Sequence, residues 1–290
     1  MGYTSISKAL FTAISRTKTA MTQISTEQQG AVLIARISNP PEGYMDADTE
    51  VELAALLDRV ESDAGIRAVV LTGGLDGVFV RHYDVGVLEK TARAMAAREL
   101  TFDTSRSVPE SPYHVCLRRM ESMPVAFVAA LNGTTMGGGF ELALACDIRL
   151  AAAGPYWLGL PEINIGLLPG AGGTQRLARL IGEARALELM LQGRTLSPVE
   201  AAHYGLVAEC VDGDVAARAL ELAHELAAKP PRALANIKRL VRGSLSRPLA
   251  EGLADERTLF CDVMVDPETI ELMAEMNAGR RSIRDANRKD

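Results

Sequence analysis

Residues 125–145 read VAFVAALNGTTMGGGFELALA, and their punctuation decides the fold. The first seven, 125–131, are an unbroken apolar run of strand length. Asn132-Gly133 closes the run with a turn dipeptide. Gly137-Gly138-Gly139 then opens a helix that continues through Glu141, Leu142, Leu144 and Ala145. A strand without polar alternation is buried on both faces, the habit of a parallel sheet covered by helices.

The same order recurs on either side. Residues 30–37 (GAVLIARI) read as a strand ended by Asn39-Pro40-Pro41 and Gly43. Thr49 and Glu52 have the spacing of a capping box. Leu53, Leu56, Leu57 and Val60 then share one helical face. Residues 66–72 (IRAVVLT) read as the next strand, broken by Gly73-Gly74, and 148–152 as another. The alternation predicts an α/β fold with buried parallel strands. Beyond about residue 174 the pattern turns helical. Ser197-Pro198 with Glu200 marks a helix start, and Ala219, Leu222, Ala223 and Leu226 mark a helical face. Pro230-Pro231 precedes a basic helix (Lys238, Arg239, Arg242), and Asp266-Pro267 starts a last one. Residues 280–290 read as a solvated tail. Residues 89–123 are polar and mixed, and predict a helix and a loop that wall a pocket.

The 290 residues suit one large domain or two modest ones, and 48% apolar content is enough for a true core. The net charge, 31 − 37 = −6, argues against a nucleic-acid binder, which needs a basic face. No apolar run reaches the roughly 18 residues of a membrane helix. Cys116, Cys146, Cys210 and Cys261 are scattered and form no CxxC pair, so neither a disulfide framework nor a zinc site is expected. The cysteines suit a reducing, cytoplasmic compartment. Residues 1–26 carry Lys8, Arg16 and Lys18 but no acid, with four Ser and six Thr. That predicts a disordered extension. The alternative, a transit peptide, would direct the chain to the mitochondrial matrix.

Two stretches can carry chemistry. In 132–141, bare glycines at a helix start let a ligand approach unpaired N–H groups able to hold a negative oxygen, with Glu141 close by. In 159–174, Glu162 stands among Leu160, Ile163 and Ile165, where burial can poise a carboxyl. Two carboxylates beside an oxyanion site make an acid/base apparatus. Read structurally, the same glycines make only a tight helix–sheet turn and Glu141 a surface residue of the first helical turn. No GxGxxG, GK[ST], GxSxG or HExxH occurs.

Together these stretches resemble the crotonase (enoyl-CoA hydratase/isomerase) family over about residues 28–280. The resemblance lies in 124–133, Gly137-Gly138-Gly139-Phe140-Glu141, Cys146-Asp147, Pro161-Glu162, Gly166 and Pro169-Gly170-Ala171-Gly172-Gly173-Thr174-Gln175-Arg176-Leu177. Residues 193–207 also resemble the family's following segment. The family implies a spiral of ββα turns over 27–214 and a helical trimerisation region over 215–290, giving a homotrimer or a dimer of trimers. It implies an acyl-CoA substrate and no cofactor, coenzyme A being part of the substrate. The oxyanion donors fall by motif position on the amides of Tyr83 and Gly138. The catalytic glutamates fall on Glu141, which activates water, and Glu162, which protonates the α-carbon. His82, Asp84, Gly137, Gly139, Pro161 and Gly170 fall in the substrate-binding segments. No metal is implied.

The chain departs from the family in Arg81-His82-Tyr83-Asp84, where small residues are usual, and in Gly86, where a lysine near the coenzyme A phosphates is usual. Lys90 is the candidate to replace that lysine. The segment 266–271 also departs, and an extra residue falls near Gly154-Pro155. Hydration of an α,β-unsaturated acyl-CoA is the first reading. An isomerase or other enolate reaction, and a non-catalytic acyl-CoA binder, are the alternatives. RNA binding is discounted because Glu50, Glu52, Asp58 and Glu61 make the helix from Thr49 acidic.

Overall fold

The computed structural model describes residues 22–284. The described residues open with β1 (Ile24–Gln29) and β2 (Val32–Ile37), an antiparallel hairpin, followed by α1 (Ala47–Ser62). Next come β3 (Ala68–Gly73), β4 (Gly77–Val80), α2 (Val85–Ala96) and α3 (Pro112–Ser122). The second turn is β5 (Ala126–Leu131), β6 (Gly133–Met136) and α4 (Gly137–Ala145). The third is β7 (Ile148–Ala152), β8 (Leu158–Gly159), a 3-10 turn over Glu162–Ile165, and α5 (Gly173–Ile181). Then follow α6 (Glu183–Gln192), β9 (Thr195–Leu196), α7 (Pro198–His203) and β10 (Glu209–Val211). Helices α8 (Val215–Ala227), α9 (Pro231–Gly243), α10 (Leu249–Met264) and α11 (Pro267–Asn277) complete the described chain.

One sheet has the order β1-β2-β3-β5-β7-β10 and the other β4-β6-β8-β9. The pairs β3/β4, β5/β6 and β7/β8 each place one strand in the first sheet and the next in the second, before a helix. This is the repeated ββα turn, and the fold is the expected α/β spiral. The strands read from the sequence pair in parallel, β2 with β3, β3 with β5, and β5 with β7.

Side chains alternate along these strands with period two. Leu33, Val69, Leu71, Phe127 and Leu131 face the main core. Val32, Ile34, Val70, Val128 and Ala130 face α8, which meets them with Ala219, Ala223 and Ala227. Small residues four apart let that helix sit close to the sheet. The Asn132-Gly133 turn is the corner where β5 in one sheet becomes β6 in the other. The Asn132 side chain accepts from Gly73 N (2.9 Å) and donates to Leu75 O (3.0 Å), stapling two successive corners. A Cβ on Gly133 would stand 1.8 Å from the Gly77 carbonyl carbon, so only glycine permits the crossing.

Three expectations are corrected. Residues 24–26 of the expected disordered extension belong to β1, while residues 1–21 of that extension lie outside the described residues. Its sequence, ISTEQQ, is too polar to read as a strand, but an edge strand needs only one apolar contact, here Ile24. The helix after it starts earlier than Thr49. Asp46 is the N-cap, and Thr49 closes the capping box from the third position. Glu52 instead accepts from the Gln23 and Ile24 amides (3.0 and 2.7 Å), tying α1 to β1. Finally, 89–123 holds two helical segments, the end of α2 and α3, rather than one. The last residues of the C-terminal tail, 285–290, also lie outside the described residues.

The basic helix α9 docks through Lys238, whose side chain is 8% exposed. Its ammonium donates to Met120 O and Val125 O (2.8 and 2.9 Å), pairs with Asp147 at 2.8 Å and lies 5.0 Å from the Phe127 ring centre. Lys238→Met is expected to lower the unfolding free energy by about 3 kcal/mol in urea denaturation, the cost of breaking a buried pair. A loss below about 0.5 kcal/mol, that of an exposed ion pair, would contradict this role.

Candidate active site

A cavity of about 950 Å³ lies between α2, the loop 97–111, α3, the N-terminus of α4 and the 3-10 turn. Its wall is mainly apolar, with Val85, Leu88, Met95, Phe102, Trp157 and Leu168 among the contributors. The expected pocket wall in 89–123 is therefore present.

Glu141 lies in the second turn of α4 and is 2% exposed. It is not the surface residue of the structural alternative. Its Oε1 accepts from the Ala171 and Gly173 amides, both at 2.7 Å. Burial pushes its carboxyl above the ordinary range, while these two bonds and Arg176 pull the other way. Glu162 opens the 3-10 turn, and its Oε2 is buried with no hydrogen-bond partner. Burial first, and the neighbouring Glu141 charge second, push its pKa up to about 7. The two carboxylates line one cavity but are treated oppositely: one is gripped by amides, the other is left bare.

Gly138 and Tyr83 also line the cavity. The N-terminus of α4 carries no side-chain cap. Among the described residues, neither the Gly138 nor the Tyr83 amide donates a hydrogen bond within the chain. A Cβ on Gly138 would stand 3.6 Å from the Tyr83 nitrogen, so the two amides are neighbours. Tyr113 donates from its hydroxyl to Gly138 O at 2.5 Å and fixes that turn. Gly139 supports it from behind: a Cβ there would meet Val80 O at 2.1 Å.

The other candidates divide. Gly137, Pro161, Gly170 and His82 line the cavity. The His82 ring stacks on Tyr44 at 4.5 Å, and its Nδ1 meets Tyr83 O at 2.7 Å, so it braces the loop that carries the Tyr83 amide. Asp84 and Gly139 stay off the wall. Asp84 is the N-cap of α2, accepting from Gly86 and Val87. Lys90 is exposed on α2 and also off the wall.

Glu50, Tyr113 and His114 are among the wall residues that the sequence reading did not single out. Glu50, named there only as one of the acids of the helix from Thr49, is 7% exposed and accepts from Tyr83 Oη at 2.9 Å. Its signal was position: it lies three residues before Leu53 and seven before Leu57, on the apolar face. Tyr113 and His114 sit in a segment whose polar character hid an inward-facing helix; His114 Nε2 meets Gly170 O at 2.8 Å. No group of three or more His, Cys, Asp or Glu side chains suited to a metal ion occurs among the described residues. None of the described helices is long and apolar enough to cross a membrane.

With the geometry in hand, the chain compares with known proteins as follows. Residues 27–276 match the family model described as enoyl-CoA hydratase/isomerase. A probable enoyl-CoA hydratase of Bacillus subtilis is 37% identical over 223 residues, 76% of this chain and 82% of that one. The fatty acid oxidation complex subunit alpha of Shewanella loihica is 36% identical over 79% of this chain. The chain spans only 31% of that subunit's length. Among solved structures, Pseudomonas aeruginosa DspI superposes with a TM-score of 0.79 at 30% identity, over 94% of this chain and 100% of that one. An enoyl-CoA hydratase from Bacillus anthracis superposes with a TM-score of 0.78 at 30% identity, over 89% of this chain and 97% of that one.

The raised pKa of Glu162 has a sign that stability can test. The folded chain keeps this proton up to about 7, whereas an unconstrained glutamate releases it near 4.5. Its contribution is therefore fully present below 4.5 and lost as pH rises through 7. Glu162→Gln is expected to raise the melting temperature above pH 7 and to leave it unchanged below 4.5. An equal shift at both ends would show that the carboxyl is not perturbed.

Proposed function

The chain belongs to the enoyl-CoA hydratase/isomerase family, and from that premise we propose that it adds water across the double bond of an α,β-unsaturated acyl-CoA to give a 3-hydroxyacyl-CoA. The observation that carries this reading is the pair of differently treated carboxylates in one cavity beside two unspent amides. A group that must accept a proton and a group that must deliver one need environments that separate their affinities.

In this reading the thioester oxygen lies against the amides of Tyr83 and Gly138. Glu141, whose two amide donors favour its carboxylate form against the effect of burial, takes a proton from water as the water oxygen bonds to the β-carbon. The electron pair of the double bond moves towards the thioester, and the enolate oxygen is stabilised by the two amides. Glu162, protonated over a substantial fraction at neutral pH, delivers its proton to the α-carbon. The proton on Glu141 passes back to Glu162 to close the cycle. No cofactor is needed, coenzyme A being part of the substrate. Gly137, Pro161 and Gly170 border the reacting group, and His82 braces the donor loop.

Glu141→Gln and Glu162→Gln are each expected to lower kcat by a factor of about 10² or more, followed as loss of enoyl absorbance. Replacing Gly138 by proline deletes a donor and is expected to cost about as much or more, with the fold checked by circular dichroism. Because Glu162 must be protonated, kcat/KM should fall as pH rises through about 7. Hydration that survives either glutamine variant would remove the two-carboxylate mechanism. Double-bond migration without hydration would favour the isomerase reading, and binding without turnover the non-catalytic one.

We also infer a homotrimer or a dimer of trimers. Ile237, Val241, Leu249, Phe260, Met264 and Ile270 on α9, α10 and α11 are all exposed in the single chain, more apolar surface than a solitary subunit usually shows. Light scattering is expected to give one of those two masses; a monomer would overturn the inference.

A further inference from the structure

Glu50 occupies a place where a carboxylate is costly. It stands on the core-facing side of α1, and at 7% exposure it is among the most buried acids described. Burying a carboxylate is destabilising unless hydrogen bonds and an opposite charge compensate it. Among the described residues no lysine or arginine reaches Glu50 within ion-pair distance. The side-chain hydrogen bond it receives comes from the neutral hydroxyl of Tyr83, at 2.9 Å. Burial pushes its carboxyl above the ordinary range and Asp46 on the preceding cap adds to this, while the Tyr83 hydroxyl, His114 on α3 and the Tyr113 backbone favour the charged form. The His114 ring nitrogens are engaged by Ser111 and Gly170 O.

Both Glu50 and Tyr83 line the cavity, as do the apolar Val85, Val87 and Leu88 of α2. Tyr83 also contributes the amide assigned above to the thioester oxygen. The Glu50–Tyr83 pair therefore borders the acyl part of the substrate. The chemistry it presents is one-sided. In its ionised form Glu50 offers acceptors only, and the single proton of the Tyr83 hydroxyl is spent on it, leaving the hydroxyl's lone pairs. The pair can accept hydrogen bonds from a ligand and offers none.

We propose that Glu50 and Tyr83 form a polar subsite in the acyl pocket that selects acyl chains carrying a hydrogen-bond donor, a hydroxyl above all, over plain alkyl chains. The proposal rests on the acyl-CoA reading and names the substrate class within it. An acyl chain ending in a carboxylate is excluded by the same acceptors. The fold keeps a buried acid that no lysine or arginine pairs with, and a donor on the substrate adds to the hydrogen bonds that Tyr83 and the Tyr113 backbone already give it.

The test is a binding comparison that does not need turnover. Saturated acyl-CoA pairs of equal length, with and without one hydroxyl set in turn at successive carbons, are titrated by calorimetry into wild type, Glu50→Leu and Glu50→Gln. Wild type is expected to bind the hydroxylated member about tenfold more tightly at one position. Glu50→Leu should lose that preference and bind the alkyl member better, with a raised melting temperature. Glu50→Gln should keep part of it through its amide oxygen. No preference in wild type at any position, or a preference that survives in Glu50→Leu, overturns the proposal, as does failure of any acyl-CoA to bind. A hydration assay run alongside keeps the two readings apart: a hydroxyl preference without hydration counts against the hydratase reading alone.

Discussion

The two hydrogen bonds that Ala171 and Gly173 donate to Glu141 Oε1 join the N-terminal half of α4 to the loop before α5. Everything around the cavity is built outward from that grip. Arg176 donates to Ala171 O at 2.7 Å, so the loop that holds Glu141 is itself held. The guanidinium in turn forks onto Glu121 of α3 at 2.7 and 2.8 Å. Glu121 also meets Arg242 of α9, which reaches Asp147 and the carbonyls of Ala145 and Cys146. Helix α4 is thus fixed at both ends by groups from four other elements. Its own sequence supplies almost no polar anchors, because it is apolar all round and buried all round.

That arrangement leaves the first turn of α4 in an unusual state. Its carbonyl side is tied down by Tyr113, and its amide side is left to the cavity. An uncapped helix start that is rigidly positioned costs little reorganisation when a negative oxygen arrives. The two glutamates differ for the same reason. Glu141 is reached by the amides of the gripping loop; Glu162, on a four-residue turn just before that loop, is reached by none of these, and its Oε2 has no partner. One loop conformation thereby sets two proton affinities.

Much of this was legible in the sequence where one local rule sufficed. Short apolar, β-branched runs marked the four inner strands, that of β5 without a polar break, and the glycine run after Met136 marked the helix start. The capping box at Ser197, Pro198 and Glu200 is present as read. Reading failed where tertiary contact decided the outcome. β1 is polar and owes its place to pairing with β2. Strands β4, β6, β8 and β9 are two to four residues long, too short to show a period. Asp84 sits in a motif next to the site but is used as a helix cap. Glu50 was hidden by its type: an acid in an acidic helix reads as solvated, and only the phase relative to Leu53 and Leu57 tells otherwise. The roles of Arg176 and Glu121 depend on residues 55 positions apart, beyond any local pattern.

β1 has a consequence for how the protein behaves at high concentration. A parallel sheet of apolar strands is a template for further strands if its edge is open. Here one edge is closed by a hairpin strand whose outward residues are polar, with Glu27 paired to Arg36 across the ladder at 3.0 Å. The other edge is β10, only three residues long. Neither offers a long, flat, apolar row of unpaired amides. The buried strands that make the fold are thereby shielded from joining those of another molecule, and resistance to aggregation is built into the two least conspicuous strands of the sheet.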